Sequence, residues 1–380
     1  MRSRSGGCRT SCRNAARAGC ARAKTICSPG RSRRSMMRPR SRLIPAALAA
    51  IVIGSSPATV VGGAAERVRI KLATVAPRDS SYHRMLLEMG EKWRKASDSQ
   101  VDLVVYPGGT QGSEADVVKR MSTGQLQAGM LSVGGLTEID PSVAALQEIP
   151  MLFKSLAEEE YVIDKLRPDL EKRLAARGFV ALFWGDSGWA RFFSRSPATR
   201  PADFKGMKIF VTASGSTKQM QIMQAFGYKP VPLEVADALI QLQTGGVDAV
   251  PTLPLLALAG QYYTVTKHML ELNWAPIVGA TVVTKQTWDA VPPALRDQFL
   301  QIATETGNRI RQASRQENDQ AVATMKARSG LQVHAVTPQL EDEWRVFAEG
   351  AYPRLRGAMV PEDMFDQARA RVAEYRSAHR

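Results

Sequence analysis

Residues 203–226, DFKGMKIFVTASGSTKQMQIMQAF, set the fold class because a strand pattern passes into a helix pattern within them. The part Met207–Val211 predicts a strand, and the part from about Ser216 to Phe226 predicts a helix. The same order recurs along most of the chain, and strands that alternate with helices are typical of an α/β fold.

The alternation extends outward in both directions. Residues 68–72 alternate apolar with basic side chains, which predicts a first strand, and Ser113 with Asp116 resembles a capping box that opens a helix. The other predicted strands are 101–106, 128–132, 179–184, 229–231, 247–250, 277–284 and 331–336. The other predicted helices are near 82–93, 155–177, 234–243, 288–327, 339–355 and 361–377.

The positive charge of the chain is concentrated at its N-terminal end. Residues 1–42 contain thirteen Arg and Lys and no Asp or Glu, and residues 43–65 carry no charge. Of 51 basic and 36 acidic residues, 38 and 36 therefore lie in the body from Glu66 onward. Nucleic-acid binding needs a basic face on the folded part, so this balance argues against that class. The four cysteines share the basic leader without a nearby histidine, which argues against a metal site there.

An apolar run from Leu43 to Ile53 follows the basic segment and precedes small residues at 62–65. This order is typical of a secretory signal peptide, and the run is too short to span a membrane. We expect residues 1–65 to be a basic leader and signal peptide, with Met36 or Met37 as an alternative start. The mature protein is expected to begin near Glu66, to be exported and soluble, and not to span the membrane.

Six segments in order resemble one receptor family, and they extend over nearly the whole predicted mature chain. They are YPGGTQGSE at 106–114, MSTGQL at 121–126, EIPMLF at 148–153, DFKGMKI at 203–209, AFGYKPVP at 225–232 and LQTGGVDA at 242–249. From about Val68 onward the chain is similar to the solute receptors of tripartite ATP-independent periplasmic (TRAP) transporters, of the DctP type.

The resemblance implies a two-lobed, periplasmic-binding-protein-like α/β fold with hinge strands and a cleft between the lobes. We place residues 66–188 and 277–316 in lobe I, and residues 189–276 and 317–380 in lobe II. A small organic acid would bind in the cleft, the lobes would close on it, and the receptor would deliver it to the TRAP permease in the membrane. The resemblance implies a periplasmic receptor, and we therefore expect no enzymatic activity. From the residues themselves we assign no cofactor, no catalytic residue and no metal ligand.

Arg191 matches the family's carboxylate-binding arginine, which follows the strand that enters the second lobe. A guanidinium is a planar fork that binds a carboxylate with two parallel hydrogen bonds. The family's second arginine is replaced here by Phe210. The hydroxyl groups of Thr212 and Ser214 lie just beyond it, and Thr252 falls near the family's asparagine.

Further candidate ligand contacts lie in segments that line the cleft in relatives. These are Thr74, Tyr82, Ser132, Trp189, Asn273 and Trp274. An aromatic residue at such a place is more often part of the core than a ligand contact. Trp189, Trp274 and Phe210 around one arginine would nevertheless favour an aromatic or apolar acid over a short dicarboxylate.

Two alternatives compete with this interpretation. One is a receptor for a neutral or aromatic solute, with Arg191 in a structural role. The other is an exported serine hydrolase, because the sequence Gly-Asp-Ser-Gly at 185–188 is preceded by His83 and Asp102 in the order of a catalytic triad built on Ser187. A strand-to-loop turn explains residues 185–188 more simply, and a body rich in helices differs from the all-β trypsin-like fold.

Overall fold

Strands and helices alternate along residues 67–212 and 217–379, the part of the chain that the computed structural model describes. The strands are β1 (Val68–Thr74), β2 (Val101–Tyr106), β3 (Ala128–Ser132), β4 (Phe179–Trp189), β5 (Arg191–Ser194), β6 (Lys208–Thr212), β7 (Lys229–Leu233), β8 (Ala249–Thr252), β9 (His268–Leu270), β10 (Pro276–Thr284) and β11 (Gln332–His334). The helices are α1 (Ser81–Ala96), α2 (Glu114–Ser122), α3 (Val133–Thr137), α4 (Leu156–Ala176), α5 (Pro201–Lys205), α6 (Thr217–Ala225), α7 (Ala238–Thr244), α8 (Pro254–Ala259), α9 (Lys285–Ala290), α10 (Pro293–Ser329), α11 (Pro338–Leu355) and α12 (Glu362–Ala378). The predicted α/β class is confirmed.

The strands form two sheets, one in each lobe. The first lobe has the order β2-β1-β3-β10-β4, and the second has the order β11-β9-β5-β8-β6-β7. In the first sheet β10 runs antiparallel to both β3 and β4, whereas β1 is parallel to β2 and β3. In the second sheet β6 is parallel to β7 and β8, and β5 is antiparallel to β8 and β9.

Each sheet buries apolar side chains on both faces. Successive residues Leu72 and Ala73 of β1 belong to different core clusters, and so do Phe192 and Phe193 of β5. Side chains alternate between the two faces of a strand, so helices must cover both faces of each sheet. Backbone groups and polar side chains of the sheets are then exposed to solvent mainly at the ends of the strands.

The chain crosses between the sheets twice through strands. It leaves β4 of the first sheet at Trp189 and enters β5 of the second at Arg191, so only Ala190 separates them. The return runs from the end of β9 at Leu270 to the start of β10 at Pro276. The lobe boundaries stay a prediction, and those near 188 and 276 lie close to these two crossings.

The long helix α10 belongs to both lobes. Its 37 residues pack against α1 and β4 of the first lobe and against α8 of the second. The predicted boundary at 316 therefore falls inside a continuous helix. The last helix, α12, which we placed in lobe II, packs on α4 of the first lobe, because its apolar side chains join that core.

Three local predictions differ from the structure. The strand predicted to end at Trp184 continues to Trp189, because Gly185, Asp186 and Trp189 pair with β10, with a register shift between Asp186 and Trp189. The helix predicted at 234–243 is a short 3₁₀ segment, Val235–Asp237, followed by α7. The helix predicted from Trp288 is divided into α9 and α10 by Val291 and Pro292, since a proline lacks the N–H that a helix interior needs.

Within the described residues, no helix combines the length and hydropathy that crossing a bilayer requires.

Candidate functional site

A cavity of about 1880 Å³ lies between the carboxyl ends of strands from both sheets. Thr74 and Ser132 end β1 and β3 of the first sheet, and Thr212 and Thr252 end β6 and β8 of the second. All four line the cavity. Ligands of open α/β sheets bind outside the carboxyl ends of the strands, so this cleft is the candidate binding site.

Arg191 lies beside the cavity wall on the second sheet. It pairs directly with Thr252 across the antiparallel strands β5 and β8. Directly opposite residues of such a pair share one face, so the side chains of Arg191 and Thr252 lie on the same side of the sheet. Phe210 of β6 and Phe193 of β5 belong to one apolar cluster on this same side. Phe193 lies two residues after Arg191, and Phe210 lies two residues before the end of β6 at Thr212.

The Arg191 guanidinium has an amide partner rather than an acidic one. Its Nη1 donates to Oδ1 of Asn273 at 2.8 Å, and no carboxylate of the described residues lies within ion-pair distance of it. Burial lowers the pKa of Arg191, while the nearby carboxylates of Glu271 and Asp319 act in the opposite direction. A charged group that is desolvated without an ion-pair partner gains from the arrival of an anion.

The structure brings most of the predicted site residues to the cavity but not all of them. Those that line it are Thr74, Tyr82, Ser132, Phe210, Thr212, Thr252 and Trp274. Trp189, Arg191 and Asn273 are not among the described lining residues, and Ser214 lies outside the described residues. The ligand contacts themselves stay a prediction.

Several of the hydroxyl groups in the first lobe are already hydrogen-bonded within the protein. The Thr74 hydroxyl accepts from the backbone N–H of Ala76 at 3.1 Å. The Tyr82 hydroxyl hydrogen-bonds with the hydroxyl of Ser314 on α10 at 2.5 Å, and burial raises its pKa. These hydrogen bonds connect Thr74 with Ala76 and join Tyr82 on α1 to Ser314 on α10.

Glu114 fixes the junction of β3 and α3. Its carboxylate accepts from the backbone N–H of Ser132 at 2.8 Å, from the Ser132 hydroxyl at 2.5 Å and from the backbone N–H of Gly135 at 3.1 Å. Burial raises the pKa of Glu114, and these hydrogen bonds act against that rise. Ser113 caps α2 directly before it through the predicted capping box with Asp116, which is confirmed.

Trp274 connects the return crossing to the aromatic core of the second lobe. Its ring packs against Phe192 at 5.8 Å, Trp344 at 5.6 Å and Phe347 at 6.4 Å between centroids. Its backbone carbonyl accepts from the N–H of Met151 at 2.7 Å. Trp274 is therefore both a core residue and part of the cavity wall.

An ion-pair cluster holds the end of β4 against α10 and α4. Nη2 of Arg315 lies 2.6 Å from Oδ2 of Asp186 and 2.6 Å from Oε1 of Glu160. The neighbouring Glu159 is 0% exposed, and neither of its carboxyl oxygens has a hydrogen-bond partner among the described residues. Burial raises the pKa of Glu159 well above its ordinary value, and the Asp186 carboxylate adds to the rise.

Sequence reasoning missed the carboxylates of the cleft. Glu148 and Glu317 line the cavity, as does Glu114, which lies in a motif segment quoted above. Glu148 could have been found, because it is the one charged residue in the run 143–153, which is apolar apart from it and Gln147. The position of Glu317 on α10 could not, since an acidic residue on a long helix is usually solvated.

The residues proposed for a hydrolase have other partners. Nδ1 of His83 accepts from the backbone N–H of Asp79 at 3.1 Å, and Asp102 lies 3.9 Å from the Arg69 guanidinium. Residues 185–188 continue strand β4, which corrects the predicted strand-to-loop turn. The arrangement of a nucleophile, a base and an orienting acid is therefore not assembled among these three residues.

The profile of the DctP family, described as "Bacterial extracellular solute-binding protein, family 7", matches residues 72–356. The chain belongs to this family. The resemblance identified from the sequence motifs is thereby confirmed, and DctP-family proteins are solute-binding receptors rather than a family of enzymes.

Curated relatives extend over most of the chain. It is 24% identical over 281 residues to the C4-dicarboxylate-binding periplasmic protein DctP of Rhodobacter capsulatus, covering 74% of this chain and 84% of the relative. It is also 24% identical over 255 residues to the 2,3-diketo-L-gulonate-binding periplasmic protein YiaO of Escherichia coli, covering 67% and 76%.

Solved structures share the two-lobed fold. A TRAP periplasmic solute-binding protein of Ralstonia eutropha H16, with bound (S)-2-acetolactate, matches with a TM-score of 0.73 at 21% identity, covering 81% of this chain and 99% of that one. One from Xanthobacter autotrophicus Py2, with bound β-D-galacturonate, matches with a TM-score of 0.72 at 19% identity, covering 80% and 99%. The chain thus shares the two-lobed fold of these solute-binding proteins.

Proposed function

We propose that this DctP-family protein binds an organic acid anion in the cleft, with Arg191 as the partner of its carboxylate. The observation that carries the proposal is the unpaired state of that guanidinium. The Arg191 guanidinium donates to the amide oxygen of Asn273 and has no carboxylate of the described residues within ion-pair distance. Residue Arg191 itself pairs in register with the cleft residue Thr252.

The energetic argument concerns burial. A partly desolvated guanidinium without an ion pair loses hydration that no protein carboxylate restores. A ligand carboxylate can restore it through two parallel hydrogen bonds, which are about twice as strong as neutral ones. Because Thr252 lines the cavity and pairs with Arg191, a carboxylate bound at Arg191 would lie beside the Thr252 side chain.

The named ligands of relatives support the acid class. C4-dicarboxylates and 2,3-diketo-L-gulonate name two relatives, and acetolactate and galacturonate occupy two of the similar structures. All four are carboxylates. Phe210 and Trp274 in the wall favour a ligand with an apolar or aromatic portion over a short dicarboxylate.

Membership of the family supports a cellular role in solute uptake. We propose that a signal peptide within residues 1–65 exports the protein to the periplasm. The loaded receptor then delivers its ligand to the membrane subunits of a TRAP permease.

The test begins with small molecules that remain bound through purification, identified by mass spectrometry. Thermal-shift measurements with succinate, glucuronate, galacturonate, acetolactate and a set of aromatic carboxylates then rank ligands for the wild-type protein. Arg191→Gln should weaken the best ligand at least about tenfold, since a hydrogen bond to a charged group contributes about 1.5–3 kcal/mol.

Arg311→Gln is the matched control. Arg311 is an arginine that does line the cavity, and its Nη1 already lies 3.7 Å from Oε2 of Glu160. Binding that depends on Arg311 and not on Arg191 would refute the assignment of the carboxylate partner. A purified ligand without a carboxylate would refute the acid class itself.

A further inference from the structure

The lining of the cleft is acidic, which is unexpected for a receptor of anions. Four cationic side chains of the described residues line it, namely Arg78, Arg84, Lys218 and Arg311. Eight acidic side chains line it, namely Asp79, Glu114, Asp116, Glu138, Glu148, Asp186, Glu234 and Glu317. A ligand that carried only negative charge would meet repulsion along most of this surface.

Most of these carboxylates have a protein partner or contact water. Asp186 pairs with Arg315. Glu114 accepts three hydrogen bonds from Ser132 and Gly135, and Glu317 accepts one from the Ser81 hydroxyl at 2.9 Å. Glu234 is exposed to solvent. Carboxylates with such partners, or with solvent exposure, are stabilised without a ligand.

Glu148 differs from the others. Among the described residues, its carboxylate has one hydrogen bond, a weak one from Nε2 of Gln147 at 3.4 Å, and no cation within ion-pair distance. The Gln147 side chain is itself fixed, because its Oε1 accepts from the backbone N–H of Val278 on β10 at 3.0 Å. Burial raises the pKa of Glu148, and the single hydrogen bond from Gln147 acts against that rise.

The surroundings of Glu148 orient it within the cleft. The segment that follows is tied to the return crossing, because the backbone N–H of Met151 donates to the carbonyl of Trp274 at 2.7 Å. The Tyr352 hydroxyl donates to the carbonyl of Pro150 at 2.9 Å. Pro150 and Trp274 both line the cavity beside Glu148. A carboxyl group on such a fixed segment is preorganised for a ligand.

We propose that Glu148 is a specificity-determining residue, which accepts a hydrogen bond from a donor group that the ligand carries away from its carboxylate. The donor is an ammonium or a hydroxyl group. This inference rests on the proposed function, because it concerns the other end of the same bound acid. The ligand is then a monocarboxylate with one donor group, and dicarboxylates are rejected.

The rejection has a direct physical cause. A second carboxylate near Glu148 would place two anions together in a partly desolvated site, where one of them must take up a proton or leave. An ammonium or hydroxyl at the same place satisfies the Glu148 oxygens instead. The contrast between these end groups is therefore the measurable signature of the residue.

Two matched series of probes vary only the group opposite the carboxylate. The first is butyrate, 4-hydroxybutyrate, 4-aminobutyrate and succinate. The second, which suits an aromatic wall, is 4-methylbenzoate, 4-(hydroxymethyl)benzoate, 4-(aminomethyl)benzoate and terephthalate. In the wild-type protein we expect a hydroxyl or ammonium member to raise the melting temperature most and to bind at least about tenfold tighter than the methyl and dicarboxylate members of its series. A dicarboxylate or methyl member that binds best overturns the inference, and this ranking needs no variant.

Glu148→Gln keeps the shape and removes the charge. It should weaken the best donor-bearing probe about tenfold or more and should bind the dicarboxylate of that series more tightly than wild type does. Glu234→Gln removes an exposed charge from the same cavity lining, and its affinities should stay within about threefold of wild type.

The outcomes separate this inference from the proposed function. Glu148→Gln without effect, together with a large loss in Arg191→Gln, overturns the role of Glu148 and leaves the acid receptor intact. No stabilisation by any acid, in wild type or in either variant, overturns both.

Discussion

Arg315 donates to Asp186 at 2.6 Å, and this ion pair joins α10 to the last part of β4, just before the chain crosses into the second sheet. The Asp186 side chain is 1% exposed and that of Arg315 is 32% exposed, so the carboxylate is buried and the guanidinium partly solvated. This ion pair therefore fixes the end of β4, from which the chain passes through Ala190 to Arg191.

Arg315→Met should destabilise the protein by about 3 kcal/mol, because it leaves the Asp186 carboxylate buried without its partner. Urea unfolding measures the change. Arg309→Met on the same helix is the control, since Arg309 pairs with Glu88 at 2.7 Å while both side chains are about half exposed. That variant should lose less than about 1 kcal/mol. Equal losses in both variants would contradict the assignment of a buried pair.

Glu159→Gln should change how stability depends on pH. The pKa of the buried Glu159 is raised in the folded protein, so its contribution is fully favourable below the unfolded pKa of about 4.3 and is lost as pH rises toward the folded pKa. Wild type should therefore lose stability across this range, and the variant should lose less. Denaturant midpoints at several pH values measure it, with the exposed Asp169→Asn on α4 as the control. Parallel profiles for wild type and Glu159→Gln would show that Glu159 is ionised in the fold.

Gly307→Ala should destabilise the protein although alanine favours helices. A Cβ at this position of α10 would lie 2.5 Å from Cδ2 of Phe183 on β4, which is a clash. Overpacking of this kind costs about 1–3 kcal/mol. Gly350→Ala on α11 has open space around the new Cβ and should instead stabilise by about 0.5–1 kcal/mol. Thermal unfolding of both variants checks the opposite signs, and a gain at Gly307 would refute the close contact.

Trp274 should report ligand binding through its fluorescence, because it lies in the cavity wall at the return crossing. Any acid that stabilises wild type should change the emission spectrum, and Trp274→Phe should remove most of that change. Trp93→Phe is the control, since Trp93 is 0% exposed and stacks on Phe299 at 4.7 Å in the first lobe. A ligand response that survives in Trp274→Phe but not in Trp93→Phe would place the conformational change elsewhere.

Local chemistry made most elements predictable from the sequence. The hydroxyl of Ser113 and the carboxylate of Asp116 form the capping box that their spacing indicates, and β2 and β3 have the predicted bounds. These features depend on neighbours within a few residues. The cleft was predicted from the family resemblance. That resemblance rests on several short motifs, and it is their order along the chain that is characteristic.

The candidate site was predictable only in part, since it depends on which residues distant in sequence meet. Thr252 was expected near the ligand, but its in-register pairing with Arg191 depends on how β5 and β8 align. The position of the Glu148 carboxyl, which has one weak hydrogen bond and no ion pair among the described residues, and the cluster around Glu159 arise from tertiary packing. Residues 185–188 look like a turn because glycine, aspartate and serine favour turns, and pairing with β10 overrides that preference.

The helix α10 has a mechanical consequence for the receptor. At about 1.5 Å per residue its 37 residues form a rod of about 55 Å that is anchored to both halves of the molecule. Sharp helix kinks occur at proline, glycine or an inserted group, and Gly307 within α10 is wedged against Phe183. The two halves are therefore joined by this rod as well as by Ala190, by residues 271–275 and by the segment between α11 and α12.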